Sequence, residues 1–193
     1  GLFSDPRATV LVEDGRHFVM ASGQTFDMVN GDLFVPFRSG VGSLYSLEHF
    51  QNVKERLEPG GVFVQWLPLY QMTENEVFIM ARTMLEAFPQ VSLWRSNFQP
   101  GDEVVAFVGH KDGEPIPGCD LDSAADKRVS VAGATFRDLD RLALPFNEQT
   151  VLFFYCGNVT KSADLFEAYP VNTDDHPVIE YLAPRTYRKE TET

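Results

Sequence analysis

Two acids end apolar runs in this chain. Asp14 follows Val10-Leu11-Val12, and Asp32 closes the run Phe26–Gly31 just before a loop rich in Gly, Ser and Pro. An acid at the end of a buried parallel strand stands where open α/β sheets bind ligands. Its carboxylate can accept hydrogen bonds from an adenine amine or from ribose hydroxyls. It can also take a proton from an amine that must be neutral before it attacks carbon. An Asp in either place can equally close a turn on its own backbone. Position alone leaves both readings open.

The elements that would carry these acids follow from periodicity. Val10 to Val12 reads as a short buried strand, Arg16 to Met20 as one or two helical turns closed by Ser22-Gly23, and Phe26 to Gly31 as the next strand. Leu47, Phe50, Val53 and Leu57 repeat at helical spacing, so a helix is predicted from about Ser46 to Leu57, stopped by Pro59-Gly60-Gly61. Val62 to Leu67 is a continuous apolar run broken by Gln65, the pattern of a strand covered on both faces. Thr73 and Glu76 form a T-x-x-E capping pattern ahead of a helix that Pro89 ends. Val91–Arg95 and Val104–Gly109, joined by Gln99-Pro100-Gly101-Asp102, predict an antiparallel hairpin.

Beyond the prolines and glycines of Lys111–Gly118 the sequence predicts a helical stretch from Asp120 to about Phe154 and a short helix at Ser162–Tyr169. A strand is predicted at Val178–Leu182, with a charged tail fraying from Tyr187. Alternation of strand and helix implies a mainly parallel α/β sheet. The closing hairpin makes it methyltransferase-like (Rossmann-like, class I). The division expected is an α/β domain over 1–110 and a mainly helical extension over 111–193 that packs on it.

Composition removes some functions. A net charge of −12 argues against nucleic acid as partner, because phosphate contacts need a basic face. Acidity can draw a cationic substrate, but solubility explains it as well. No apolar run approaches the roughly 20 residues of a membrane helix. Cys119 and Cys156 are too few for a disulfide framework and read as buried reduced thiols in a cytoplasmic setting. Asp174-Asp175-His176 are adjacent and do not have the spacing of metal ligands, so a turn is the preferred reading and no metal is expected. His17 and His49 read as packing or surface residues, and His110 as the start of a loop. Trp66, Tyr70, Trp94 and Phe98 could line an aromatic pocket for a cation, though core packing is commoner for such residues. Arg16 and Arg38 read as solvated.

Three runs carry a resemblance: DPRATVLVEDGRHF (Asp5–Phe18), FDMVNGDLFVP (Phe26–Pro36) and SLYSLEHFQNVKERLEPGGVFVQW (Ser43–Trp66). Together they resemble the spermidine/spermine synthase family, aminopropyltransferases with a methyltransferase-like fold. Gly40–Leu44 (GVGSL), Gln65–Tyr70 (QWLPLY) and Asn172–Arg185 (NTDDHPVIEYLAPR) are similar to the branch whose synthase-like domain is fused to a multi-pass membrane region. The resemblance implies that Asp14 and Gly15 contact the adenine of a nucleoside donor. It implies Asp32 as the base beside the amine, and Gln65, Tyr70 and Asp174 at the substrate. The co-substrate implied is decarboxylated S-adenosylmethionine, or S-adenosylmethionine if the reaction is methyl transfer, with no tightly bound cofactor.

Two features depart from the family. Where it carries D-S-S-D, this chain has Asp32-Leu33-Phe34-Val35, so a second carboxylate is missing. No glycine-rich nucleotide loop occurs in the 193 residues. The family would place that loop, and the first two strands, before Gly1. The expectation is therefore the C-terminal part of a larger, membrane-fused parent. This part would be inactive alone, with an open sheet edge that the parent or a homodimer covers. The alternatives are a methyltransferase-like enzyme and a non-catalytic ligand-binding or regulatory domain.

Overall fold

In the computed structural model, residues 5–32, 34–96, 103–113 and 154–191 are described. Among the described residues five strands form one sheet in the order β1 (Phe26–Gly31), β2 (Leu57–Pro68), β4 (Val104–His110), β3 (Gln90–Arg95) and β5 (Tyr155–Asn158). β1 and β2 are parallel, with Val29 opposite Phe63 and Gly31 opposite Gln65. β4 is antiparallel to both β2 and β3, so it folds back between two strands that run the same way. This is the expected hairpin. Its turn lies outside the described residues, as does the stretch 114–153 in which a long helical segment was expected.

The helices start where local chemistry caps them. Asp14 Oδ1 accepts from the His17 N–H at 2.9 Å and opens α1 (Gly15–Ala21). Ser46 Oγ accepts from the His49 N–H at 3.3 Å and opens α2 (Leu47–Glu55). The Glu76 carboxylate accepts from the Thr73 N–H at 2.6 Å and from its hydroxyl at 3.0 Å, as the T-x-x-E pattern predicts for α3 (Glu74–Ala87). The last helix is α4 (Val178–Thr191).

The core lies between these helices and one face of the sheet. Along β2, Phe63, Gln65 and Leu67 are buried while Val62, Val64 and Trp66 are half-buried, so cover is one-sided among the described residues and not equal on both faces. Phe63 packs between Phe50 of α2, tilted against it with centroids 5.5 Å apart, and Phe88 after α3, stacked on it at 6.0 Å. Each such ring, fully removed from water, contributes about 2–3 kcal/mol.

Several sequence expectations are corrected. Val10–Val12 forms no strand and is 51–102% exposed. β1 has β2 as its one partner among the described residues, and an apolar run without a neighbour to pair with does not become a strand on propensity alone. Pro59-Gly60-Gly61 does not follow a helix end; α2 stops at Glu55, and these residues bulge within the start of β2, where the register jumps between Phe26 and Met28. Val178–Leu182 is helical. Ile179 and Ala183 sit one turn apart and are both buried while Tyr181 between them is 65% exposed; a strand would send all three to one face. That helix continues to Thr191, past the expected fraying point. Ser162–Tyr169 becomes a kinked 3₁₀ helix at Thr160–Phe166. Cys156 is exposed on the edge strand β5, not buried; Cys119 lies outside the described residues. His110 ends β4 and is buried beside Ser92.

Candidate functional site

A cavity of about 450 Å³ opens between α1, α2 and β1. Phe18 and Val19 of α1, Phe26 and Val29 of β1, and Phe63 of β2 give it apolar walls. Asp14, Gly15 and Arg16 approach from the start of α1, and Asn30, Gly31 and Phe34 from the end of β1. It therefore brings the Asp14-Gly15 turn and the end of the Asp32 strand to one hollow.

The predicted residues are not all at its wall. Asp14 and Gly15 line it. The Asp14 carboxylate caps α1 and keeps 62% of its side chain exposed, so capping and ligand contact are compatible. The His17 N–H holds it below the usual carboxylate pKa. Asp32 is exposed and stands one residue past the lining residue Gly31. Gln65 is 1% exposed and lies behind Asp32, its Nε2 donating to the Asp32 carbonyl at 3.4 Å and to that of Trp66 at 3.1 Å. A Cβ on Gly31 would come within 2.5 Å of Gln65 Oε1, so the bare Cα of Gly31 gives the amide its place. Gln65 Oε1 is buried with no partner. Tyr70 lies in the 3₁₀ turn Leu69–Gln71 after β2, 44% exposed and not on the cavity wall. Asp174 is also outside the wall, but its carboxylate pairs with Arg16, which lines it. Burial alone would raise the Asp174 pKa; hydrogen bonds from Arg16 and Ser46 outweigh it and hold the group low.

Two residues read as structural or solvated take part here. Arg16 is not solvated: its side chain is 15% exposed, and its guanidinium donates to the Ser43 carbonyl at 3.0 Å as well as to Asp174. His49 is 6% exposed, lines the cavity, and carries an Nδ1 with no partner. Burial lowers its pKa to about 4, helped by the Arg16 charge and opposed by Asp174 and Asp14. The imidazole is therefore neutral near pH 7. Sequence gave one usable signal, a polar residue on the apolar stripe of α2. Of the four aromatics considered as a cage, Trp66 donates its indole N–H to Asn30 at 3.0 Å and Trp94 packs edge-on against Tyr155. Phe98 lies outside the described residues.

Known proteins resemble this chain in sequence and in fold. The polyamine aminopropyltransferase of Aeropyrum pernix is 35% identical over 115 residues, 58% of this chain and 36% of that protein. The one from an Enterobacter species is 31% identical over 96 residues, 50% of this chain and 33% of that protein. The chain thus spans about a third of the length of these relatives. A spermidine synthase crystallised with the transition-state analogue AdoDATO superposes with a TM-score of 0.53 at 18% identity, over 80% of this chain and 47% of that one. A probable spermidine synthase from Corynebacterium glutamicum gives 0.52 at 16%, over 88% and 55%. The shared fold is the methyltransferase-like α/β arrangement expected from the order of elements. The spermine/spermidine synthase domain matches residues 1–97, which include β1, the Asp14 turn, the Asp32 loop and Gln65, and the chain belongs to that family.

Proposed function

We propose that this domain contributes the acceptor side and part of the donor side of an aminopropyl transfer site. The supporting observation is the single cavity shared by the Asp14-Gly15 turn and the end of the Asp32 strand, in a chain of this family. In this reading the nucleoside of decarboxylated S-adenosylmethionine lies over the apolar wall, with Asp14 and Gly15 at its base. The acceptor amine sits at the Asp32 loop. Asp32 takes the proton, the nitrogen lone pair forms the new C–N bond, and the sulfonium C–S bond breaks with its electron pair leaving on a thioether. Gln65 Oε1, buried without a partner, is the acceptor available to an amine N–H beside Asp32. Tyr70 completes the amine side, and Asp174 acts on the substrates through Arg16, beside the Asp14-Gly15 turn.

The 193 residues carry no glycine-rich nucleotide loop. The reading therefore assigns turnover to the whole protein and none to this chain alone. Likeness of GVGSL, QWLPLY and NTDDHPVIEYLAPR to the membrane-fused branch supports a cytoplasmic domain of an inner-membrane protein. Among the described residues no helix is long and apolar enough to cross a membrane. A second copy is the partner this reading expects at the edge of β1, which has no further strand beside it among the described residues. Val35, half-buried where the family has its second acid, favours a second reading in which the domain binds a ligand without turning it over.

The test is turnover of decarboxylated S-adenosylmethionine with putrescine by the whole protein, alongside calorimetric titration with 5′-methylthioadenosine. Asp32→Asn should lower turnover about 100-fold or more and leave nucleoside affinity nearly unchanged. Undiminished turnover in that variant, or no binding of any adenosyl sulfonium or thioether, would overturn the proposal.

A further inference from the structure

The loop between Phe34 and Tyr45 borders both halves of the proposed site, and a segment remote in sequence holds it. Asn172 is fully buried. Its Nδ2 donates to the carbonyls of Gly42 and Tyr45, both at 3.0 Å, and its Oδ1 accepts from the Ile179 N–H at 3.1 Å. Its backbone carbonyl accepts from Leu47 at 2.8 Å, and its N–H donates to Thr83 Oγ1 at 2.9 Å. One side chain thus joins the 3₁₀ helix Val41–Tyr45 to the first turn of α4. Glu180, in that first turn, reaches back with both oxygens: Oε1 accepts from the Gly40 N–H at 2.7 Å and Oε2 from the Gly42 N–H at 3.0 Å. Bonds to an ionised acceptor are roughly twice as strong as neutral ones.

The G-V-G of the loop fits this grip. Gly40 has a φ of +84°, a conformation open to glycine. A Cβ on Gly42 would lie 2.8 Å from Glu180 Oε2 and 2.9 Å from the Glu180 backbone N, so the start of α4 can approach only a bare Cα.

The loop in turn reaches both rims of the cavity. The Tyr45 hydroxyl donates to the Phe34 carbonyl at 3.1 Å, two residues past Asp32, and their rings meet edge-on. The Ser43 carbonyl accepts from Arg16, the neighbour of Gly15. We propose that residues 172–180 form a strap in which Asn172 and Glu180 are positioning residues: they set the loop that holds Phe34 on the amine side and Arg16 on the nucleoside side. The catalytic purpose of the strap rests on the aminopropyl-transfer reading; its mechanical coupling does not.

Glu180→Gln tests this, because it preserves shape but replaces one acceptor oxygen with a donor that faces an N–H. Amide exchange at Gly40 and Gly42 should quicken about tenfold while β2 amides keep their rates. Amide resonances at Phe34 and Arg16 should shift as well. In the whole protein, affinity for 5′-methylthioadenosine and for putrescine should each fall about fivefold at an unchanged melting temperature, and Glu180→Ala should exceed both losses. Faster exchange at Gly40 and Gly42 with no shift at Phe34 or Arg16 would overturn the strap, as would unchanged affinities in a wild type that does bind. If the wild type binds neither compound, the functional reading falls, while shifts at both rims still establish the coupling.

Discussion

Replacing His49 with Phe should remove a specific part of the acid sensitivity of this domain. The imidazole is 6% exposed and its Nδ1 has no partner, so protonation would place an unsolvated charge beside Phe63 and Phe50. The charges facing it are Arg16, which opposes protonation, and Asp174 and Asp14, which favour it. Burial is the largest cause and the folded pKa falls from 6.5 to about 4. A histidine with a depressed folded pKa is bound more tightly by protons when unfolded. The stability it protects is intact above pH 6.5 and is lost as pH falls from 6.5 towards about 4. Between about pH 7 and pH 4.5 that linkage amounts to about 2 kcal/mol. Phe keeps the edge-to-face contact with Phe63 and has nothing to protonate.

Urea unfolding of the wild type and His49→Phe at both pH values measures the difference. The variant should be at least as stable at pH 7 and should lose about 2 kcal/mol less on acidification. His110, whose pKa burial also lowers, is present in both proteins and cancels. Parallel loss in the two proteins would refute the argument that His49 is held neutral by its burial.

Two further substitutions address the frame of the site. Gly31→Ala would place a Cβ 2.5 Å from Gln65 Oε1 and 3.0 Å from its Cδ, so the buried amide must leave the Asp32 and Trp66 carbonyls. A loss of about 1–3 kcal/mol by urea unfolding is expected, with a rise in the KM for the amine that exceeds any fall in kcat. Thr73→Ala removes the hydroxyl that meets Glu76 at the head of α3, and should cost about 1 kcal/mol by the same measurement without altering nucleoside affinity.

What sequence revealed and what it hid divide along the range of the interactions. The Thr73–Glu76 pair, the helix start near Ser46 and the strand ending at Asp32 depend on neighbours three or four residues away or on the pattern within one run, and all were legible. Val10–Val12 has the composition of a strand, but a strand is a relation to a partner, and that relation is not written in the run itself. Val178–Leu182 suits either period over so few residues. The helix is settled by burial of Ile179 and Ala183 with Tyr181 exposed between them, together with the Glu180 and Asn172 bonds that its first turn makes possible. Those bonds span 140 residues from Glu180 to Gly40 and 130 from Asn172 to Gly42. His49 belongs with them: its spacing marks a helix face correctly, while its place on the wall of a cavity depends on α1 and β1 closing around it. Asp32 could be singled out from sequence because it follows a strand end, whereas Asp14 reached the same hollow as the cap of α1 and not as the end of a strand. The groups that frame the hollow, Arg16, His49, Asn172 and Glu180, act across elements, and their contacts exist only once the chain has folded.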